Sequence, residues 1–130
     1  CLLAFILPGG REFGATIPSV DPVQALLWET VLTFFLMFVI TAMATDTRAT
    51  GTMAGAAIGA TVMFCSFVGG PVTGASMNPA RSFAPALFQH QMSVLWIYGT
   101  APFLGAIAGV LAYEAIRRET SKNTNTKSCC

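Results

Sequence analysis

The sequence predicts an all-α membrane protein with three full transmembrane helices, a re-entrant half-helix and the end of a preceding helix. The 130-residue chain is 54% hydrophobic and only 10% charged, whereas soluble domains carry about 25% charged residues. It contains three apolar runs near the length of about 20 residues that a bilayer crossing needs. Between the second and third runs lies an Asn-Pro pair followed by an arginine, where a continuous helix is disfavoured.

The chain begins with the apolar run CLLAFIL, which is too short to cross a bilayer. Pro8, Gly9 and Gly10 follow it. We therefore interpret residues 1–7 as the end of a transmembrane helix and expect the chain to be part of a larger protein. Residues 8–21 mix proline, glycine and polar side chains, which predicts an extracellular loop.

The first full span is predicted at residues 22–45, because Asp21 can cap its N-terminus and Pro22 suits the first helical position. Glu29 is the only charged residue within it. The next elements are a short cytoplasmic loop, a second span, a re-entrant segment, a third span and a polar tail, at residues 46–51, 52–68, 69–93, 94–117 and 118–130.

Small residues recur at every fourth position in the second and third spans. This spacing places them on one helix face, where two helix backbones can approach closely. The residues are Gly51, just before the second span, with Gly55 and Gly59 within it, and Ala101, Gly105 and Gly109 in the third. They indicate a helical bundle rather than a particular function.

Positive charges predict the orientation of the spans. Arg48 follows the first full span, and further basic residues follow the third: Arg117, Arg118, Lys122 and Lys127. Two spans separate these groups, so both can face the cytoplasm, as the positive-inside tendency requires. The C-terminal tail is then cytoplasmic, and residues 69–93 belong to the opposite side.

Residues 69–93 contain a start signal for a short helix. A Gly-Gly-Pro run at residues 69–71 is expected to end the second span, Asn78 can cap exposed amides, and Pro79 suits the first helical position. The apolar run at residues 82–88 supports about two turns, which is too short to cross. We expect a re-entrant half-helix, preceded by backbone carbonyls that line a lumen, those of Gly74, Ala75 and Ser76.

Arg81 is the only formally charged residue between Arg48 and Glu114. An arginine at membrane depth costs at least about 2.5 kcal/mol and generally faces a cavity or a partner. At a constriction, its guanidinium could donate hydrogen bonds to neutral solutes and repel cations. The alternative is a structural arginine satisfied by loop carbonyls.

Several other classes of function find little support in the sequence. The four cysteines show no disulfide or metal spacing, so we expect no metal or cofactor, and no basic groove indicates nucleic-acid binding. No convergent Ser/His/Asp, Cys/His or paired-carboxylate set indicates an enzyme. Two alternatives stay open: a secondary transporter, since broken helices also build transporter sites, and a non-conducting structural membrane protein.

The stretch SMNPARSFAPAL and the ATD end of the first full span resemble the aquaporin and glycerol-facilitator family, and the resemblance covers nearly the whole chain. It implies the second inverted repeat of an aquaporin-like bundle, a missing N-terminal half, and a homotetramer in the plasma membrane. It also implies a passive channel for water and small uncharged solutes that excludes protons and ions. Asn78, Pro79 and Ala80 would form the central constriction, and Glu29 would be a buried structural acid that supports loop carbonyls.

Three residues match positions of the family's selectivity filter: Ser66, Ala75 and Arg81. Strict water channels usually have histidine at the position of Ser66, so two small residues here imply a wider opening. This resembles the nodulin-26-like branch, some members of which pass glycerol, urea or undissociated boric and silicic acids. Ser82 and Ala86 instead resemble the water-channel pattern, so the solute beyond water stays open.

Overall fold

The computed structural model describes residues 14–45, 52–90 and 92–127. The predicted helix end at residues 1–7 lies outside this part of the chain, as does the whole of the loop at 46–51. The described residues form four α-helices and no strand, which confirms the all-α prediction. The helices are α1 (Pro22–Thr45), α2 (Thr52–Thr73), α3 (Pro79–Gln89) and α4 (Leu95–Lys127).

Three of these helices are long and apolar enough to cross a membrane. The candidate spans are Pro22–Thr45, Met53–Thr73 and Leu95–Glu119. The 11 residues of α3 give a length of about 16 Å at 1.5 Å per residue, roughly half the hydrocarbon thickness of about 30 Å. The described chain therefore holds three full spans and one half-helix, as predicted.

The closest helix contact joins α1 to α4 through the small-residue stripe of α4. A Cβ atom added at Gly105 would collide with the carbonyl oxygen of Thr30, and one at Gly109 would lie 2.6 Å from that of Phe34. The two backbones approach this closely because these positions lack side chains. The stripe of α2 behaves differently, since a Cβ at Gly55 or Gly59 would meet no described atom within 4 Å.

The second span is longer than predicted, because α2 continues through Pro71 to Thr73. The expected end at residue 68 was wrong. The last carbonyls of the helix have partners outside it: those of Pro71 and Val72 accept hydrogen bonds from Ser19, so the final turn costs little. The helix stops at Gly74, which adopts a left-handed φ of +84° that favours glycine.

The last helix also extends beyond its predicted end at residue 117. Its backbone stays helical to Lys127, into the segment expected to be a polar tail. No glycine or proline interrupts residues 110–127, although the threonine, serine and asparagine residues at 120–126 are weaker helix formers. Near this end, Glu114 forms exposed ion pairs with Arg117 at 3.8 Å and Arg118 at 3.6 Å.

The buried core of the described chain is small and divided into two clusters. One comprises Leu32, Cys65, Ala75 and Met77, and it joins α1 and α2 to the loop before α3. The other comprises Ala25, Ile97 and Tyr98, where α1 meets the start of α4. Large apolar side chains elsewhere point outward, as Phe67 does with 83% of its surface exposed, which is expected of helices that contact lipid or further protein.

Candidate functional site

The site is built around the five non-helical residues that join α2 to α3, residues 74–78, which we call the junction loop. Three of them have positive φ: Gly74 at +84°, Ala75 at +43° and Met77 at +49°. A left-handed conformation costs a residue other than glycine roughly 1–2 kcal/mol. Two such residues within three positions persist only because the surroundings hold them there.

The side chain that holds the junction loop is Glu29 of α1, which is 0% exposed. Its Oε1 accepts hydrogen bonds from the Ser76 amide at 2.9 Å and the Thr73 hydroxyl at 2.7 Å. Its Oε2 accepts one from the Met77 amide at 2.8 Å. These bonds to a carboxylate are of the stronger, charge-assisted kind. The acid accepts from the amides of the loop, since a carboxylate can only accept, and in this way it holds the backbone whose carbonyls it was expected to support.

Two further residues fix the end of α2 beside this acid, and neither was predicted from the sequence. The Thr73 hydroxyl donates to Glu29, and the Ala75 amide donates to the same hydroxyl at 3.3 Å. The buried Tyr98 hydroxyl donates to the Thr73 carbonyl at 2.6 Å. In the sequence, Thr73 is visible only as a threonine beside an interrupted helix and Tyr98 as a tyrosine at the start of a span. Neither position indicates which residue it bonds.

The N-terminus of α3 is capped as the sequence predicts. Asn78 has extended backbone (φ −152°), its Oδ1 accepts from the Ala80 amide at 2.9 Å, and Pro79 occupies the start of the helix. Because Oδ1 is engaged, the side-chain orientation is fixed and the Nδ2 hydrogens remain as donors. The Asn78 side chain is exposed, so these donors lie on the surface of the described chain.

Arg81, in the first turn of α3, contacts another residue of the predicted filter. Its Nη1 donates to the Ala75 carbonyl at 2.7 Å, and its side chain is exposed. The ion pairs found in residues 14–45, 52–90 and 92–127 all involve Glu114 rather than this arginine. The Ala75 carbonyl, one of the three that were expected to line a lumen, therefore accepts a hydrogen bond from the guanidinium.

The side chains of the other two predicted filter residues differ in exposure. The Ala75 methyl group is 1% exposed and packs in the cluster with Leu32, Cys65 and Met77, so only the backbone of this residue reaches Arg81. Ser66 follows Cys65 along α2 and is partly exposed. The described contacts join Ala75 to Arg81 but include no hydrogen bond that brings Ser66 to either of them.

A chain of hydroxyl groups runs beneath the first turn of α3. Thr16 donates to Ser82 at 2.6 Å, Ser82 donates to Ser76 at 2.6 Å, and Ser76 donates to the Asn78 carbonyl at 2.8 Å. The three hydroxyl-bearing residues are all buried, and we call this arrangement the hydroxyl chain. The sequence gives no indication of it, because Thr16 and Ser82 are 66 positions apart.

The site combines hydrogen-bond donors from Asn78 and Arg81 with the non-helical backbone of the junction loop. Within the described ranges, no group of three or more His, Cys, Asp or Glu side chains could hold a metal ion. The donors of Asn78 and Arg81 can form reversible hydrogen bonds with groups that carry lone pairs.

These features define an integral membrane protein in which a re-entrant half-helix is supported by a buried acid of a neighbouring span. The family model for major intrinsic proteins matches residues 3–113. The chain is 47% identical over 125 residues to Aquaporin NIP1-1 of Zea mays, and 51% identical over 106 residues to Nodulin-26 of Glycine max. It is 52% identical over 111 residues to Aquaporin NIP1-4 of Oryza sativa subsp. japonica.

The chain belongs to the major intrinsic protein family, and its relatives place it in the nodulin-26-like branch. The three alignments cover 90%, 82% and 84% of this chain. They cover only 44%, 39% and 41% of the relatives. The chain therefore spans about two fifths of the length of the curated relatives it matches.

Proposed function

We propose that the complete protein is a passive transmembrane channel for water and small uncharged solutes, closed to protons and ions. The observation that carries this proposal is the α3 N-terminus, where Asn78 caps the helix and Arg81 binds the Ala75 carbonyl. The names of the relatives, aquaporins and Nodulin-26, support the same function.

The geometry suits neutral polar solutes for an electrostatic reason. The N-terminus of α3 carries a partial positive charge of about half an elementary charge, and the Arg81 guanidinium adds a full one. Both oppose cations and protons, as helix ends and arginine do in pores of the aquaporin type. The Asn78 Nδ2 group and the Arg81 donors can still bind the oxygen of water, an alcohol or an amide.

The filter is proposed to consist of Ser66, Ala75 and Arg81, with a fourth residue from the absent half. Ser66 and Ala75 are small, which supports an opening wide enough for glycerol, urea, boric acid or silicic acid. Because the Ala75 methyl group is buried, we propose that this position contributes its carbonyl, which lies 2.7 Å from Arg81 Nη1. The width there then depends on where the guanidinium is held.

A complete pore is proposed to need the N-terminal half that relatives of more than twice this length contain. Asn78, Pro79 and Ala80 would meet a matching half-helix at the central constriction. We propose a homotetramer in the plasma membrane with the C-terminal tail in the cytoplasm, the orientation that the basic residues of the tail favour.

The transporter alternative finds less support in the same geometry. A secondary transporter needs a site for a coupling ion, and Glu29 is the one acidic residue within the described spans that is fully buried. Both of its oxygens are engaged by Thr73, Ser76 and Met77. An ion at this carboxylate would have to displace the bonds that shape the junction loop.

The proposal is tested with the complete protein in proteoliposomes by stopped-flow light scattering, with gradients of water, glycerol, urea and boric acid. We expect faster volume changes than in empty vesicles for water and for at least one solute, without proton conductance. Arg81→Ala should admit protons or cations, while Arg117→Ala, an exposed arginine of α4, should not. Wild-type rates equal to those of empty vesicles in all four gradients would refute the channel.

A further inference from the structure

We infer that Thr16 is a positioning residue for the Asn78–Arg81 site, acting through the hydroxyl chain, and that it thereby affects which solutes pass. The inference rests on the proposed channel function. Thr16 lies in the segment before α1, far in sequence from the junction loop and from α3. Its hydroxyl nevertheless donates to Ser82, the residue that directly follows Arg81.

The hydroxyl chain is buried, and its contacts allow each hydroxyl to donate to the next, from Thr16 to the Asn78 carbonyl. Thr16, Ser76 and Ser82 are 8%, 3% and 2% exposed. Ser82 and Ser76 each accept one hydrogen bond and donate the next. Linked bonds of this kind polarise one another, and a buried hydroxyl that loses its partner must turn to find another. A change at Thr16 is therefore transmitted to Ser82 and Ser76 rather than absorbed by water.

The chain ends on the backbone that orients the site. The Asn78 carbonyl accepts from the Ser76 hydroxyl and also from the Ser82 amide, at 2.8 and 3.4 Å. Ser82 thus contacts the residue that caps α3, and Ser76 provides the second link to the same carbonyl. Arg81 lies between these contacts in sequence, so its backbone is fixed from both sides.

Thr16 can act as a fixed point because its own segment is anchored nearby. The Ser19 amide donates to the Val72 carbonyl at 2.9 Å, and its hydroxyl donates to the carbonyls of Pro71 and Val72, each at 3.0 Å. Thr16 also borders the start of the junction loop, since a Cβ added at Gly74 would lie 3.1 Å from its Cγ2 atom. The segment before α1 is thereby fastened to the end of α2 and to the first turn of α3.

A positioning role and a purely structural role predict different changes in solute permeability. Loss of stability lowers the number of working channels and reduces all fluxes in proportion. A shift of Arg81 relative to the Ala75 carbonyl changes the opening itself, so the ratio of glycerol to water permeability changes. One buried hydrogen bond corresponds to a change of roughly two- to tenfold in an equilibrium constant, and we expect a change in the ratio of that size.

The test uses the complete protein in proteoliposomes with the amount of incorporated protein measured. Thr16→Val keeps the shape of the side chain and removes its hydroxyl, whereas Thr16→Ser keeps the hydroxyl. Thr41→Val is the matched control, because among the described residues the Thr41 hydroxyl bonds the Met37 carbonyl of its own helix. We expect a two- to tenfold change in the permeability ratio for Thr16→Val and wild-type ratios for the other two.

Ser82→Ala breaks the same chain at its next member and should shift the ratio in the same way, even if Thr16→Val fails to fold. The double variant should match Ser82→Ala alone, because both changes interrupt one connection. If the wild-type protein conducts but Thr16→Val or Ser82→Ala leaves the ratio of glycerol to water permeability unchanged, the inference is overturned while the proposed channel function stands. A Thr16→Ser ratio that matches Thr16→Val would also overturn it, since packing rather than the hydroxyl would then be responsible.

Discussion

Replacing Glu29 with glutamine tests whether the buried acid holds the junction loop. The carboxylate accepts three hydrogen bonds, from the Thr73 hydroxyl and the amides of Ser76 and Met77. Glutamine has nearly the same shape but only one acceptor oxygen. If that oxygen keeps Thr73 and Ser76, the new amide group faces the Met77 N–H, which is also a donor.

The expected cost follows from these contacts. A hydrogen bond to a charged group contributes about 1.5–3 kcal/mol, and Glu29→Gln loses one outright and leaves the other two with a neutral acceptor. Removing a buried charge recovers part of this loss, because burying a charge is itself costly. We expect the free energy of unfolding to fall by about 2–3 kcal/mol.

The measurement is equilibrium unfolding of the complete protein in mixed detergent micelles, followed by the loss of helical signal as denaturing detergent increases. Glu114→Gln is the matched control, since the described contacts of this acid are ion pairs with the exposed Arg117 and Arg118. Such pairs contribute roughly 0–1 kcal/mol. A Glu29→Gln protein as stable as Glu114→Gln would show that the carboxylate does not hold the loop.

Two further predictions use the same unfolding measurement. Ala75 is buried with a φ of +43°, so Ala75→Gly should change the free energy of unfolding by no more than about 1 kcal/mol. The β-branched Ala75→Val should lower it by roughly 2 kcal/mol or more. Equal stabilities of the two variants would refute the assigned conformation. Gly105→Ala should cost about 1–3 kcal/mol through overpacking against the Thr30 carbonyl, whereas Gly55→Ala faces no described atom within 4 Å and should be neutral or stabilising. Equal losses from the two glycine changes would contradict the close α1–α4 contact.

The parts of the site that the sequence predicts correctly are those governed by local rules. Asn78 followed by Pro79 starts α3 because capping depends only on neighbouring amides. The stripe of Gly105 and Gly109 is likewise visible as a spacing, and it lies at the close approach of α1 and α4. Neither prediction required knowledge of a distant residue.

The failures come from tertiary contacts. A Gly-Gly-Pro run usually ends a helix, yet α2 continues because Ser19 and Tyr98 satisfy its last carbonyls. The burial of the Ala75 methyl group depends on a left-handed φ that is uncommon for alanine and that the distant Glu29 stabilises through neighbouring amides. Local propensities do not predict such a conformation, so the direction of the Ala75 side chain could not be predicted from the sequence.

The dependence of the junction loop on Glu29 also has a consequence for the order in which the protein is made. The carboxylate lies 47 positions before Ser76, so the ribosome synthesises the anchor well before the segment that it holds. When the interrupted stretch emerges, the span that gives it its shape already exists, and chains fold from their N-terminal parts during synthesis. A polar, non-helical segment entering the bilayer thus has a ready acceptor for its amides instead of facing lipid alone.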